Sequence, residues 1–215
     1  MRTVTTALSG SALIMALAAS SAVAELETHH LRGDFAFSGT GVCASSLAII
    51  TPTSYTPPRG FDANLVANGE PFSVITFSAH GVRTFNGDGT GSVAARVVSL
   101  SIGDRASASS SDQEIQFTYS IAPDGTVTTD QSPTHNVFVS GGRTGQQTRI
   151  SNIPAVVGRL SADRNSITFA TLNTGIETVT RVLPDGSELV EALRICHRER
   201  TAFRISRNPG GQRDD

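Results

Sequence analysis

Two cysteines, five histidines and one arginine–glutamate pair are the residues of this chain whose types and spacing could do chemistry. Cys43 and Cys196 stand towards opposite ends, and no Cys-x-x-Cys accompanies them, so thiol–disulfide catalysis is not indicated. In an oxidising compartment such a pair is expected to form a structural disulfide, with two separate buried thiols as the alternative. A bridge closing so long a loop is worth about 5 kcal/mol in the chain-entropy account. His29 and His30 are adjacent, while His80, His135 and His197 are isolated. No His-x-His or His-Glu-x-x-His spacing occurs, so no metal site and no cofactor are expected.

Arg181 and Glu191 flank the turn sequence Pro184-Asp185-Gly186. A turn centred on Asp185 and Gly186 makes them diagonal cross-strand neighbours on one face, together with Val179, Leu183, Leu189, Leu193 and Ile195. Facing inward, the pair would line an interior and orient a polar ligand group. Facing outward, it would be a solvent-exposed ion pair worth about a few tenths of a kcal/mol. The outward reading is preferred, because Thr178, Thr180, Val182, Val190 and Ala192 on the opposite face are equally able to be core. Asn86-Gly87-Asp88-Gly89-Thr90-Gly91 invites a phosphate-loop or calcium-loop reading. The first needs a helix directly after it, yet Ser92 to Ile102 is strand-like; the second needs a bidentate glutamate where Val97 stands. A tight hairpin turn accounts for every residue. No Gly-x-Ser-x-Gly elbow is present.

The elements that must position these residues are strands. Glu114 to Ile121 alternates strictly and places Ile115, Phe117, Tyr119 and Ile121 on one face, the mark of a half-buried strand. Pro123-Asp124-Gly125 then turns the chain into Thr126 to Thr129, since proline suits the first corner and glycine accepts positive φ. The same grammar joins Phe72–Phe85 to Thr90–Ile102, Ile167–Leu172 to Thr178–Leu183, and that strand to Glu188–Arg198. Turn signals about every ten residues, with no long stretch at helical period, predict an antiparallel all-β domain. Ala44 to Asn68, with three prolines, is expected to be a long loop crossing one end of the sheet. The serine-rich run Arg105 to Asp112 is expected to be a loop tip, and residues 206–215 a disordered tail.

Residues 1–24 have the form of a signal peptide: Arg2, a short apolar run, then Ala22-Val23-Ala24 before Glu25. The run is too short for the roughly 30 Å hydrocarbon core, so the expectation is a periplasmic or secreted protein cleaved after Ala24, without membrane insertion. Loss of Arg2 makes the mature chain slightly more negative than the formal −2 of the whole. That argues against general nucleic-acid binding. All 17 basic residues are arginine, read as genomic base composition rather than a need for guanidinium groups.

Val82-Arg83-Thr84-Phe85-Asn86-Gly87-Asp88-Gly89-Thr90-Gly91, with Arg194-Ile195-Cys196-His197-Arg198, resembles a group of uncharacterised secreted bacterial proteins, a likeness that transfers no site residue. Gly33-Asp34-Phe35 is similar to the Gly-x-Trp that precedes the first strand of lipocalin-like barrels, without the tryptophan. That resemblance implies a barrel, with Arg194 on the last strand packing across the aromatic. The fold expected is a single antiparallel β-barrel of about eight to ten strands over residues 25–205, with a β-sandwich as the alternative. Pairing of Cys43 with Cys196 would join first strand to last, as closure requires. The function expected first is non-catalytic enclosure of a small, largely apolar ligand, with Ile115, Phe117, Tyr119, Ile121, Arg181 and Glu191 as candidate binding residues and no catalytic ones. An envelope interaction module with a packed barrel comes second, its protein partner unspecified. An enzyme using Arg181, Glu191 or a histidine inside the barrel comes third.

Overall fold

A computed structural model describes residues 28–69, 71–103 and 106–207. The expected leader and nearly all of the expected tail lie outside the described residues. A single 3-10 turn, Thr28–His30, precedes the strands β1 (Arg32–Leu47), β2 (Ile49–Ile50), β3 (Tyr55–Thr56), β4 (Phe72–Asn86), β5 (Thr90–Gly103), β6 (Ser107–Ile121), β7 (Thr126–Gln131), β8 (Thr134–Ser140), β9 (Gln147–Ser151), β10 (Val156–Leu160), β11 (Ser166–Thr171), β12 (Glu177–Val182) and β13 (Glu188–Ser206). The fold is all-β and antiparallel.

Three of its turns repeat one device, an Asp-Gly followed by a hydroxyl residue. Asp88, Asp124 and Asp185 each accept the backbone N–H two residues on, from Thr90, Thr126 and Ser187, at 2.9 Å. These bonds, with those from the Thr90 and Ser187 hydroxyls, hold all three carboxyls below their ordinary value. Gly87 and Gly89 take positive φ in the first of them, which is why glycine brackets Asp88 there. The Asn86–Gly91 segment is therefore a hairpin turn.

The sheet closes on itself. Strand β1 pairs with β13 as well as with β4, completing a ring of eight strands in the order β1-β4-β5-β6-β7-β10-β11-β13. A second route round also closes, because β6 pairs with β8 and β13 with β12: β1-β4-β5-β6-β8-β9-β12-β13. Long strands β1, β4, β5, β6 and β13 thus run through two stacked storeys, and three short strands complete the wall of each. The lower storey is completed by β7, β10 and β11; the upper by β12, β9 and β8.

Cys43 and Cys196 are directly opposed on β1 and β13, Cα atoms 4.1 Å apart, and are bonded. The disulfide lies inside the ring, on the seam that closes both storeys. Strand β1 runs through Cys43 to Leu47.

Two expected loops differ. The serine run is strand from Ser107, each odd-numbered serine facing inward across from β5: Ser107 opposite Ser101, Ser109 opposite Ser99. Backbone pairing on both sides stabilises a segment whose side chains carry no strand signal. The proline-rich segment does not cross an end of the sheet. It forms the small β2–β3 hairpin and packs outside β1 and β13, with Gly60 N–H donating to Ser46 Oγ at 2.9 Å and Tyr55 Oη–H to the Val190 carbonyl at 2.8 Å.

Aromatic side chains fill the lower storey. Phe85 meets Phe35, Phe117 and Tyr119 edge-on at ring separations of 5.4, 5.4 and 5.0 Å. Ile167, Phe169, Val127 and Leu160 complete the packing. At the bottom, Tyr119 Oη donates to the Leu31 carbonyl at 2.7 Å and accepts from Gly87 N–H at 3.1 Å, tying the N-terminal turn across the opening. Arg204, not Arg194, packs across Phe35, its guanidinium carbon 4.6 Å from the ring centre.

Candidate functional site

The upper storey encloses a cavity of about 310 Å³. Its position follows from residue type along the shared strands. Reading up β6, the inward residues pass from Tyr119, Phe117 and Ile115 to Gln113, Ser111 and Ser109; β5 changes from Val93 and Val97 to Ser99 and Ser101. Serine is too small to reach across a ring of this width, so space remains where phenylalanine fills it below. Val97 and Ile115 form the floor, touching core beneath and cavity above. Ile75, Phe77 and Ile150 supply an apolar wall, and Thr134, Asn136 and Thr148 a polar one.

Opposite the serines stands a column of arginines. On β13 the residues Arg194, Cys196, Arg198 and Arg200 alternate inward. Space for Arg200 is made on β1 by Gly39, its pairing partner, where a Cβ would come within 2.5 Å of Arg200 Cγ; Gly41, opposite Arg198, makes space for the Phe77 ring instead.

Glu177 on β12 is the anion of this column. It is fully buried and accepts from Arg194 Nε at 2.9 Å and Arg198 Nη2 at 2.6 Å. Burial opposes its ionisation, but the two guanidinium charges and their hydrogen bonds outweigh that and hold the carboxyl below its ordinary value.

Arg200 is different. It is 9% exposed and lines the cavity, yet among the described residues it has no carboxylate in contact and no hydrogen-bond partner. Its guanidinium carbon stands 5.5 Å from the centre of the Phe37 ring. Burial, then the charge of Arg198, push its pKa down to about 10, against the longer-range attraction of Glu177.

Below it, Arg83 is 2% exposed and sandwiched between Phe117 and Phe169, 4.7 and 4.6 Å from the ring centres. Neither terminal nitrogen of Arg83 has a hydrogen-bond partner, and burial with the neighbouring charge of Arg200 pushes its pKa down to about 9. Cation–π contact offsets part of that desolvation, at about 0.5–2 kcal/mol per ring.

Arg181 and Glu191 face inward, which reverses the preferred reading of the sequence. They are bonded at 2.6 Å, and Arg143, from the β8–β9 loop, holds the other oxygen of Glu191 at 2.6 Å. The reason is a bulge. Val179 pairs with Ala192 but Thr180 with Val190, leaving Glu191 as the extra residue. Before it the odd residues of β13 point in; after it the even ones do. Strict alternation carried through residue 191 puts Leu193 and Ile195 on the face of Glu191, whereas they lie outside with His197.

Of the candidate binding residues, Ile115, Arg181 and Glu191 line the cavity. Phe117 and Tyr119 belong to the lower core and Ile121 packs against it. The arginine column is absent from the expected set. Its signal is present, as arginines at period two in phase with a cysteine expected to be buried. His80, His135 and His197 are exposed on the outside, and among the described residues no group of three His, Cys, Asp or Glu could hold a metal ion.

The chain matches no protein-family model, and searches of curated proteins and of solved structures find no significant similarity. The class defined by fold and site is a disulfide-closed antiparallel β ring with a cavity in one of two storeys. The disulfide is compatible with an oxidising compartment.

Proposed function

We propose that the protein is a non-catalytic, exported binding protein, periplasmic or secreted, that encloses one small molecule in the upper storey. The observation that carries this reading is the contrast within one closed sheet: the lower storey is filled with aromatic rings, whereas the upper retains about 310 Å³ of space. That size and the mixed lining suit a small-molecule site. The body of the ligand is largely apolar and rests against Ile75, Phe77, Ile115 and Ile150. Native mass spectrometry of protein purified from its own host, followed by solvent extraction, should show a bound species of a few hundred daltons. Persistent absence of bound mass would reject enclosure.

A second reading, an interaction module of the cell envelope, is favoured by the outer face of β5, where Val98, Leu100 and Ile102 are 47, 53 and 62% exposed. Cross-linking that repeatedly captures one envelope partner through β5 would support it.

A further inference from the structure

We propose that the floor of the upper cavity is a site for an organic oxyanion, the acidic group of the enclosed ligand, received by Arg200. This rests on the enclosure reading and deepens it. Two observations carry it. The first is the charge balance of the interior: Arg83, Arg143, Arg181, Arg194, Arg198 and Arg200 share two carboxylates, Glu191, taken up by Arg143 and Arg181, and Glu177, taken up by Arg194 and Arg198. Buried cations are ordinarily paired, so an excess in a closed ring marks a place for an anion that the described residues do not supply. The second is the geometry of Arg200. It is buried, lines the cavity, and has donors that no acceptor among the described residues meets.

Glu177 is not in contact with Arg200: its Oε2 accepts from Arg194 and Arg198, and its Oε1 stands against Arg198 Nη1. A planar guanidinium suits a two-oxygen acceptor, which carboxylate, sulfonate and phosphate monoester groups share. The serines of β5 and β6 offer further hydroxyl donors across the cavity. The ligand expected is thus an amphipathic acid, its hydrocarbon against Ile75 and Phe77 and its oxyanion at Arg200.

The test uses the mature protein and two fluorescent probes that differ by one charged group: phenylnaphthylamine, which is neutral, and anilinonaphthalene sulfonate. Both should bind competitively, the sulfonate about ten-fold tighter or more, as a charge-assisted hydrogen bond implies. Arg200→Met should abolish that preference and leave the neutral probe's affinity unchanged; Arg200→Lys should keep part of it. Arg164→Ala, in the outer cluster of Arg32, Arg164, Arg204 and Arg207 at the lower end, should keep all of it.

A neutral probe that binds with no preference for the sulfonate, or a preference that survives Arg200→Met, overturns the oxyanion site while enclosure stands. Preference lost in Arg164→Ala instead moves the anion to the outer patch and has the same effect. If neither probe binds, enclosure itself falls. Should Arg200→Met fail to fold, Arg200→Gln read against Arg200→Lys makes the same comparison, since both keep a polar side chain of similar reach.

Discussion

The two storeys are built on the same five long strands, each completed by three short strands of its own, and they differ in what their strands point inward. Below, Phe35, Phe85, Phe117 and Phe169 meet, and the one charged group at their centre, Arg83, lies flat between two rings. Above, the inward positions are serines, amides and guanidinium groups around a space. Backbone closure and side-chain packing are therefore separate achievements in this molecule. The ring is held by hydrogen bonding and a disulfide in both halves, and only one half is also held by a core. A sheet that needs no filling to stay closed is free to leave room.

The comparison can be tested in descending order of effect. Removing the disulfide with Cys43→Ala and Cys196→Ala acts on both storeys and should cost about 5 kcal/mol in the chain-entropy account, read from denaturant unfolding. A loss below about 1 kcal/mol would mean that the β1–β13 seam holds itself. Phe85→Ala in the lower storey should cost about 4 kcal/mol, since it removes the ring on which three others converge.

Glu177→Gln should cost about 3 kcal/mol, because it leaves Arg194 and Arg198 buried without their anion. In the wild type the same loss should come with acid. Glu177 has its folded pKa below the ordinary 4.5, so its contribution is complete above that value and disappears as pH falls through the folded pKa. Thermal melts from pH 6 down to pH 2 should separate wild type from variant at the upper end and bring them together as pH falls through the folded pKa.

Arg83→Met should be neutral or stabilising by about 1–2 kcal/mol at pH 7, because it replaces an unpaired buried cation with a side chain of similar length. Since burial holds the folded pKa of Arg83 at about 9, well below that of an unfolded arginine, the wild type should close that gap as pH rises above 9. A destabilised variant at every pH would mean that the two ring contacts outweigh desolvation. Last, Ser109→Ala in the upper storey should change stability by less than about 0.5 kcal/mol. A cost equal to that of Phe85→Ala would erase the distinction between a filled and an open half.

How far the chain could be read follows from the same division. Lower-storey strands advertise themselves: Ile115, Phe117 and Tyr119 alternate with polar residues, and Asp-Gly turns punctuate the run. Upper-storey strands do not. Ser107 to Gln113 is polar on both faces, so alternation there carries no contrast between inside and outside, and pairing with β5 and β8 decides its structure. The bulge at Glu191 is a second silent feature. One extra residue exchanges the inward and outward sets, and nothing in Glu188 to Arg198 announces it. The arginine column was legible in spacing yet masked by composition, because a chain without lysine makes every arginine look ordinary.

The pairing of β1 with β13 also fixes an order of events. Residues 188–206 are the keystone of the wall, neighbour to β1 and β11 below and to β12 above. Neither storey can close until residues 188–206 are available, however early its hairpins form. A polypeptide made from its N-terminus therefore stays an open, unsealed sheet until residues 188–206 have followed β1 into place.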